Sequence, residues 1–547
     1  MTRSSVIRSL ALLALIVYSH AGQLTTNTMI YTGDELAIQG STRIFGSVRG
    51  NADLTVDTGS SLYDATVAGN VIVDRGSNVN NIIASGSVAL IRGSTAASIA
   101  QNQQVAATSL HGISTLQQGA ASVTSGVISP GCYDSLSVNH GQTVTLTAGT
   151  YSFTDVYVGN GANINVQATS SLAVVVTVDG NFVAGHGFRL NGDAARTAFL
   201  INGSVNVGNG ALLNANFFVP NCDFYVGYGS NVNGGIYAKN VELTNGDSVV
   251  SNTYNGYTSA APAYTSASLR RNMTHLNTVV PVSYYYPSNG AQNQKFPLIV
   301  FLQGGNTAGT LYSSYAALVA SYGYVVAVPD YFRSVGGPAN YFTSIALVNS
   351  AEDDIRSVGG VPADPDTVIV SGHSLGGALA IAALGTTCDP ASVVCEGYVR
   401  RANLKGAVVF ATNNRNMSNP VFDQFLTTNA NGGFITYLQG AIDGRAFPSR
   451  AQGTFDNTAN TDKRSLIFYS GMNHYGITNT ATPVGSTPDP NVETGDHAEG
   501  LALLARDTHL SIDGFLNGNK AAIQFHLVGY RDSTRYSRNI QIEHPCN

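Results

Sequence analysis

Glycine–serine pairs recur at a nearly constant interval in the first half of the chain, and this spacing limits the folds available to it. The pairs begin at Gly40, Gly59, Gly76 and Gly93, in steps of 19, 17 and 17 residues. Short strand-like segments such as 70–73 lie between them. A repeat of this length cannot bury its own apolar face, so successive repeats must stack on one another.

These repeats predict an all-β solenoid domain over residues 22–255. Short strands would form its sides, with glycine, asparagine and serine at the corners, where positive φ angles are needed. We predict a parallel β-helix with one turn per 17 to 26 residues, and an antiparallel β-sandwich is the alternative. Residues 40–100 resemble bactofilin-type repeats, and the segments 130–133 and 234–238 are similar to phrases of ice-binding-like β-solenoids. The regular threonine ladder of an ice-binding face is missing, which argues against ice binding.

The charge argues against one class of partner, and the N-terminal segment indicates an exported protein. Only 11% of the 547 residues are charged and the net charge is −6, which argues against nucleic-acid binding, since that requires a basic surface. Residues 1–21 resemble a signal peptide, with Arg3 and Arg8 before an apolar stretch at 10–17 and small residues at Ser19 and Ala21. This stretch is too short to span a bilayer. We therefore expect a secreted, extracellular protein without integral membrane association.

Five cysteines fit an oxidising compartment. Cys388 and Cys395 flank a short loop and are the first choice for a disulfide bond. Cys132 and Cys222 would pair only where the fold stacks them, which leaves Cys546 over. No Cys-x-x-Cys or His-Glu-x-x-His spacing occurs, so we expect no metal site. Sequons for glycosylation occur at Asn202, Asn272 and Asn416.

A stretch of small residues separates the solenoid from a second domain. Tyr-Thr-Ser-Ala occurs at 257–260 and again at 264–267, which is typical of a linker, and we place the linker at 256–268. From residue 269 to 547, strand-like segments alternate with amphipathic segments of helix length. This order predicts a mostly parallel sheet with helices on both faces.

Ser374 carries the strongest functional signal, in Gly-His-Ser-Leu-Gly-Gly at 372–377. The motif alone is common by chance in a glycine-rich chain. Here, however, a β-branched strand at 367–370 precedes it, and a run of strong helix formers at 378–384 follows. Strand, tight turn and helix form a nucleophile elbow, which lifts a serine hydroxyl above a sheet and beside a helix N-terminus. Ser374 is therefore the predicted nucleophile, and an ordinary strand-to-helix turn is the alternative.

An oxyanion hole needs two backbone N–H donors. Leu375 directly follows the predicted nucleophile and is expected to provide one of them. Gly305, in the Gln-Gly-Gly-Asn segment after a strand at 298–302, is expected to provide the other. Sequences of this kind usually have histidine where this chain has Gln303, a change that leaves the backbone donor in place.

A serine hydroxyl is unreactive near neutral pH unless a base takes its proton and an acid orients the base. Asp443 follows a strand at 434–438, and His474 follows the next strand at 466–469. The chain order serine, acid, histidine matches the order that an elbow of this type uses. We predict Asp443 as the acid and His474 as the base. The rivals are Asp423, Asp456 and Asp462, which we expect to be solvated, and His373, His497 and His509, the last two around a predicted helix at 498–516.

With these motifs, residues 276–530 resemble the α/β-hydrolase group that contains chlorophyllases, dienelactone hydrolases, platelet-activating-factor acetylhydrolases and polyester hydrolases. The resemblance rests on the segments 296–301, 322–330, 372–377, 440–445 and 471–475. It implies a serine carboxylic-ester hydrolase (carboxylesterase) with a Ser-His-Asp triad and no cofactor, acting on small or polymeric esters. Cleavage of peptide or thioester bonds by the same triad is the alternative.

The solenoid sequence shows no clustered acids or bases of the kind that a solenoid lyase needs. We predict that it is non-catalytic and binds cell-surface or other extracellular material. In one alternative it caps the hydrolase cleft and shapes specificity. In another, the chain is chiefly an adhesion or matrix protein with an accessory hydrolase.

Overall fold

A computed structural model describes residues 28–105, 119, 121–250, 261–334, 341–385, 395–414, 427–528 and 538–543. The chain divides into two compact units, the first made mainly of residues up to Tyr257 and the second mainly of residues from Thr258 onward, and each has its own hydrophobic core. The predicted signal peptide at 1–21 and residues 256–260 of the predicted linker lie outside the described residues. Within the described part of the chain, no helix is both long and apolar enough to cross a membrane.

The N-terminal unit is built of short strands and contains a 3-10 turn at Ala194–Arg196. Its strands are β1 (Thr28–Thr32), β2 (Leu36–Ile38), β3 (Arg43–Gly50), β4 (Leu54–Val56), β5 (Ser61–Val67), β6 (Val71–Val73), β7 (Asn78–Ala84), β8 (Val88–Leu90), β9 (Thr95–Ala100), β10 (Gly126–Ile128), β11 (Gly131–Cys132), β12 (Ser135–Val138), β13 (Thr143–Thr147), β14 (Gly149–Phe153), β15 (Asp155–Val158), β16 (Asn163–Gln167), β17 (Val174–Val178), β18 (Phe182–Ala184), β19 (Arg189–Asn191), β20 (Thr197–Ile201), β21 (Val205–Val207), β22 (Leu212–Leu213), β23 (Asn216–Val226), β24 (Asn231–Asn233), β25 (Ile236–Leu243) and β26 (Ser248–Val250).

These strands stack in parallel columns, so that each turn of the chain lies on a neighbouring turn. In one column, β5, β7 and β9 place Leu62, Val79 and Ala96 opposite one another. Contacts between neighbouring turns join residues 17 positions apart in this region, and 26 apart farther along, as between Asp155 and Asn181. The parallel pairing is compatible with the predicted β-helix and differs from the antiparallel sandwich that was the alternative.

The order of the turns in space differs from their order in the sequence. β1 pairs with β3 on one side and with β25 on the other, where Ile30 lies opposite Ile236. β26 likewise pairs with β3, and Val249 lies opposite Ile44. The stack therefore runs from β10 through β26 and continues with β1 through β9, around one continuous apolar core. The repeat predicts that turns stack, but not which turn lies beside which.

Side-chain oxygens close the corners between turns. The Asp53 carboxylate accepts the backbone N–H of Asn70 at 2.7 Å, and the Asn70 side-chain oxygen accepts the N–H of Ser87 at 2.9 Å. Gly69 and Gly86 leave room for these contacts, because an added Cβ would lie 2.3 Å from the Asp53 or the Asn70 oxygen. The positive φ angles predicted for the corners occur at the glycine–serine pairs, among them Gly59, Gly76 and Gly93.

Cys132 and Cys222 do not pair with each other. Cys222 is a free thiol whose sulfur lies 3.2 Å from the Asn202 carbonyl oxygen. The pairing of Cys132 with Cys222 is therefore wrong, because β11 and β23 are separated by the intervening strands β14, β17 and β20. Cys388 and Cys546 lie outside the described residues, so the Cys388–Cys395 disulfide stays a prediction.

The C-terminal unit is a sheet with helices. Its strands are β27 (Ser266–His275), β28 (Thr278–Pro287), β29 (Phe296–Leu302), β30 (Val325–Pro329), β31 (Arg333–Ser334), β32 (Tyr341–Phe342), β33 (Ala363–His373), β34 (Leu404–Phe410), β35 (Thr428–Asn429), β36 (Phe434–Gly440), β37 (Thr458–Ala459), β38 (Arg464–Tyr469) and β39 (Arg538–Glu543). Its helices are a 3-10 turn at Gly309–Tyr312, α1 (Ser313–Ser321), α2 (Leu347–Val358), α3 (Leu375–Leu384), α4 (Pro448–Asp456), α5 (His497–Asn517) and α6 (Lys520–Val528).

The main sheet has the order β27-β28-β30-β29-β33-β34-β36-β38-β39. Pairing is parallel from β30 to β38 and antiparallel at both edges. In β29, Leu298 and Val300 belong to the core cluster that includes side chains of α2, α3 and α4. Phe301 points to the opposite face, where its ring lies 5.8 Å from that of Tyr315 in α1. Helices therefore cover both faces, as the alternation of segments predicts.

Two boundaries differ from the predictions. β27 begins at Ser266, inside the predicted linker, and the ring of Tyr264 packs edge-on against Phe296 at 5.1 Å. The reason is pairing, since Ser266 lies opposite Pro287 at the end of a ten-residue hairpin. At the other edge, the antiparallel strand β39 pairs with β38, and the sequence did not predict it.

Candidate active site

Ser374 occupies the sharp turn between β33, which ends at His373, and α3, which begins at Leu375. Its backbone has φ 52° and ψ −119°, a conformation that non-glycine residues rarely adopt. Two contacts hold it there: the Ser374 N–H donates to the Phe410 carbonyl at 2.9 Å, and the Thr412 hydroxyl donates to the Ser374 carbonyl at 2.6 Å. The turn is thus fixed by the neighbouring strand β34 and presents the hydroxyl at the carboxyl end of the sheet.

Glycines on both sides of the serine make this turn sterically possible. A Cβ added at Gly376 would lie 2.1 Å from the Leu302 carbonyl oxygen, and one at Gly372 would lie 2.5 Å from the backbone of Gly376. Real Cβ atoms do not approach backbone this closely, so the elbow can pack against β29 only with glycine at these positions.

We expect Gly376→Ala to lower both stability and activity. The clash is with backbone at two positions, Leu302 and Gln303, which cannot move without shifting the sheet, and overpacking of this kind costs about 1–3 kcal/mol or more. Thermal unfolding and a rate assay on a chromogenic ester should show a lower melting temperature and a rate reduced at least ~100-fold, because misplacing reacting groups by about 1 Å costs that much. Gly432→Ala is the control, since its added Cβ meets nothing within 4 Å and only the positive φ of 75° is strained. Near wild-type activity of Gly376→Ala would contradict this account of the elbow.

His474 lies between the other two predicted residues. Its Nε2 atom is 3.0 Å from the Ser374 hydroxyl oxygen, and its Nδ1 atom is 2.9 Å from the Asp443 carboxylate. Asp443 and His474 are buried, with 2% and 3% of their surface exposed. The sheet brings the three together because β33, β36 and β38 end at the same edge, although the residues lie up to 100 positions apart.

Hydrogen bonds to both oxygens hold the carboxylate of Asp443 in place. One of its oxygens accepts the backbone N–H groups of Arg445 and Ala446, at 2.8 and 2.7 Å. The other accepts the Gln439 side-chain amide at 3.1 Å in addition to His474. These bonds fix the orientation of the carboxylate toward the imidazole.

A small pocket of about 220 Å³ opens over the serine hydroxyl. Both predicted oxyanion residues, Gly305 and Leu375, line it, so the loop after β29 and the start of α3 meet at Ser374. Gln303, at the position where histidine was expected, is buried and its amide donates to the Tyr331 carbonyl at 3.1 Å. It therefore anchors the loop to the neighbouring strand end. The pocket is lined by Gly305, Asn306, Thr307, His373, Ser374, Leu375, Arg445, His474, Tyr475 and Thr487.

A buried hydrogen-bond chain connects the loops around the pocket. The Gly304 N–H donates to the Tyr312 hydroxyl, whose O–H donates to Nδ1 of His373, each at 2.9 Å. His373 Nε2 donates in turn to the His474 carbonyl at 2.9 Å. Since a carbonyl only accepts, the tautomer is fixed, and burial lowers the pKa of His373 well below its usual value. His373 is therefore a neutral link between the loop after β29 and the loop after β38, and both of its ring nitrogens are engaged away from the Ser374 hydroxyl.

Asp489 is a further structural residue that the sequence did not indicate. Its carboxylate accepts the backbone N–H of His474 at 2.8 Å and that of Gly444 at 3.2 Å. These bonds tie the loop after β38 to the loop after β36. It lies in a polar segment rich in proline and threonine, with no motif around it. Only the folded chain brings this segment beside both loops.

The rival residues lie elsewhere. His497 binds Glu493 at 2.6 Å at the start of α5, and His509 hydrogen-bonds Tyr324 at 3.0 Å. Asp456, at the end of α4, accepts a bond from Gln452 at the surface. Asp462 does not line the pocket, and Asp423 is outside the described residues.

One family of known proteins matches part of the C-terminal unit. Residues 264–393 match the model of the Chlorophyllase family. The matched segment contains Ser374 and the loop with Gly305, whereas Asp443 and His474 lie beyond it. The comparison with curated proteins finds no match. Because the Chlorophyllase family is of the α/β-hydrolase type, the match supports a hydrolase in the C-terminal unit.

Proposed function

We propose that the C-terminal unit is a serine carboxylesterase with Ser374 as nucleophile, His474 as general base and acid, and Asp443 as the orienting acid. The observation that carries the proposal is the imidazole of His474, which bridges the Ser374 hydroxyl and the Asp443 carboxylate at 3.0 and 2.9 Å. Such a bridge has the geometry for proton transfer from the hydroxyl during attack.

In the proposed reaction, the Ser374 oxygen attacks the ester carbonyl as His474 Nε2 takes its proton. The carbonyl oxygen becomes an oxyanion facing the backbone N–H groups of Gly305 and Leu375. His474 then donates the proton to the leaving alcohol, which leaves an acyl group on Ser374. Water, activated by His474, attacks the acyl carbonyl and restores the serine. Asp443 keeps the proton of His474 on Nδ1, so that Nε2 faces the serine as an acceptor.

Three substrates that share one acyl group test the reaction class. The purified full chain should hydrolyse p-nitrophenyl butyrate faster than the butyryl thioester and far faster than the anilide, because the amide has the poorest leaving group. A preference for the anilide would favour a peptidase and contradict the ester proposal. A panel of short-chain, long-chain and polymeric esters would then define the substrate.

We also propose that the protein is exported and that its solenoid unit is non-catalytic and binds extracellular material. Support for export is the N-terminal sequence. Support for a structural role of the solenoid acids is that Asp53, Asp64 and Asp155 each accept hydrogen bonds from the next turn, at 2.7, 2.7 and 2.8 Å. Their carboxylates hold the stack together. Retention of residues 28–250 by host surface material, compared with the C-terminal unit, would test binding.

A further inference from the structure

Among the described residues that line the pocket, Arg445 alone carries a permanent positive charge. It follows Asp443 by two positions, and its backbone N–H donates to the Asp443 carboxylate at 2.8 Å. The backbone of Arg445 is therefore held in place beside Asp443. The guanidinium itself is exposed, and it donates a long hydrogen bond of 3.4 Å to the Pro488 carbonyl.

The guanidinium has no carboxylate partner within 4.0 Å among the described residues. The two acids that bind the backbone of this loop, Asp443 and Asp489, are already engaged. Asp443 binds His474 and backbone N–H groups, and Asp489 accepts the N–H groups of Gly444, His474 and Asn491. Arg445 thus lines the pocket with an exposed guanidinium that has no carboxylate partner among the described residues.

The field of this charge reaches the base of the pocket. Burial is the main cause that lowers the pKa of His373, and the positive charge of Arg445 contributes to the lowering. The other side chains of the rim are polar and uncharged, namely Asn306, Thr307 and Thr487. A net charge of −6 otherwise disfavours anions near this protein. Arg445 is therefore a local exception, placed where a substrate must bind.

We propose that Arg445 selects esters that carry a carboxylate a few bonds from the scissile bond, in either the acyl or the alcohol part. The planar guanidinium matches a carboxylate through paired N–H···O bonds, which a neutral ester cannot form. The pocket of about 220 Å³ admits a short chain of this kind. This inference rests on the proposed esterase function and names its substrate class.

Paired substrates test the inference. Monoethyl glutarate is compared with ethyl pentanoate, and butyryl glycolate with propyl butyrate, by titrating released acid with the purified full chain. The readout is the ratio of kcat/KM for the acidic ester to that for its neutral partner. We expect at least one acidic ester to be preferred, and Arg445→Gln to lower that ratio ~10- to 100-fold, the range for hydrogen bonds to charged groups. Arg445→Lys should fall between, because it keeps the charge without the paired donors.

Arg356→Gln is the matched control, since Arg356 lies on α2 in a surface ion pair with Asp366 and should leave the ratio unchanged. A ratio that Arg445→Gln does not alter, with both rates falling together, would overturn the inference and assign Arg445 a general electrostatic role. A wild-type preference for both neutral esters would overturn it as well. Failure to hydrolyse any ester, acidic or neutral, would instead count against the proposed function itself, so the two failures are distinguishable.

Discussion

Ser374→Ala is expected to reduce ester hydrolysis by at least about 10⁴-fold, because the proposed reaction passes through an acyl group on this oxygen. The turn at Ser374 is held by backbone contacts with Phe410 and by the Thr412 hydroxyl, none of which needs the serine side chain. The variant should therefore fold and unfold like the wild type. What it loses is the nucleophile.

A fluorophosphonate probe adds a direct readout. The wild-type protein should be labelled once, on the peptide that contains Ser374, and Ser374→Ala should not be labelled. Ser357→Ala is the control, because Ser357 is exposed on α2 and its hydroxyl donates to backbone carbonyls of its own helix, that of Asp353 at 2.6 Å and that of Asp354 at 3.5 Å. A wild type that hydrolyses p-nitrophenyl butyrate but takes no label would exclude the covalent mechanism.

Asp443→Asn is expected to lower kcat by about 10⁴-fold while leaving the fold intact. Asparagine keeps one acceptor oxygen, which the N–H groups of Arg445 and Ala446 would hold as they hold the carboxylate now. Its NH₂ group would then face Nδ1 of His474 and force that atom to accept. The proton would move to Nε2, which could no longer take a proton from Ser374.

Steady-state kinetics with circular dichroism would separate this effect from unfolding. Asp456→Asn is a matched control, since the same substitution there affects one surface bond to Gln452 and should leave the rate near that of the wild type. If Asp443→Asn kept more than about a tenth of the activity, another group would have to orient His474. Asp489 would then be the first residue to examine, because it binds the same loop.

Local sequence signals account for much of the fold. Alternating residues and glycine–serine pairs at intervals of 17 and 19 residues predict stacked turns, since the period follows from the length of one turn. The strand, glycines and helix around Ser374 predict the elbow, because a sharp turn needs small neighbours on both sides. The helix expected at 498–516 occurs at His497–Asn517. The resemblance of the N-terminal half to bactofilin-type and ice-binding-like solenoids stays a prediction.

The predicted site residues come together because each of them follows the end of a parallel strand. Parallel strands point their carboxyl ends to one edge, so residues that follow β33, β36 and β38 must meet there. The order of the strands within the sheet then decided which loops lie next to each other. Asp443 and His474 follow adjacent strands, and this is why one acid out of several lies within 2.9 Å of the imidazole.

The sequence by itself determined the repeat length of the solenoid, the elbow at Ser374 and the strand ends that carry Gly305, Asp443 and His474, because each depends on neighbours within one element or turn. Only the tertiary structure decided that β1 lies beside β25, that Asp489 joins two loops and that Arg445 faces the pocket. These contacts join segments that have no distinctive sequence of their own. Asp489 and Arg445 lie in polar loops, and β1 and β25 belong to turns of similar sequence. Their positions follow from strand order and loop packing across the whole unit, and short-range propensity carries no information about either.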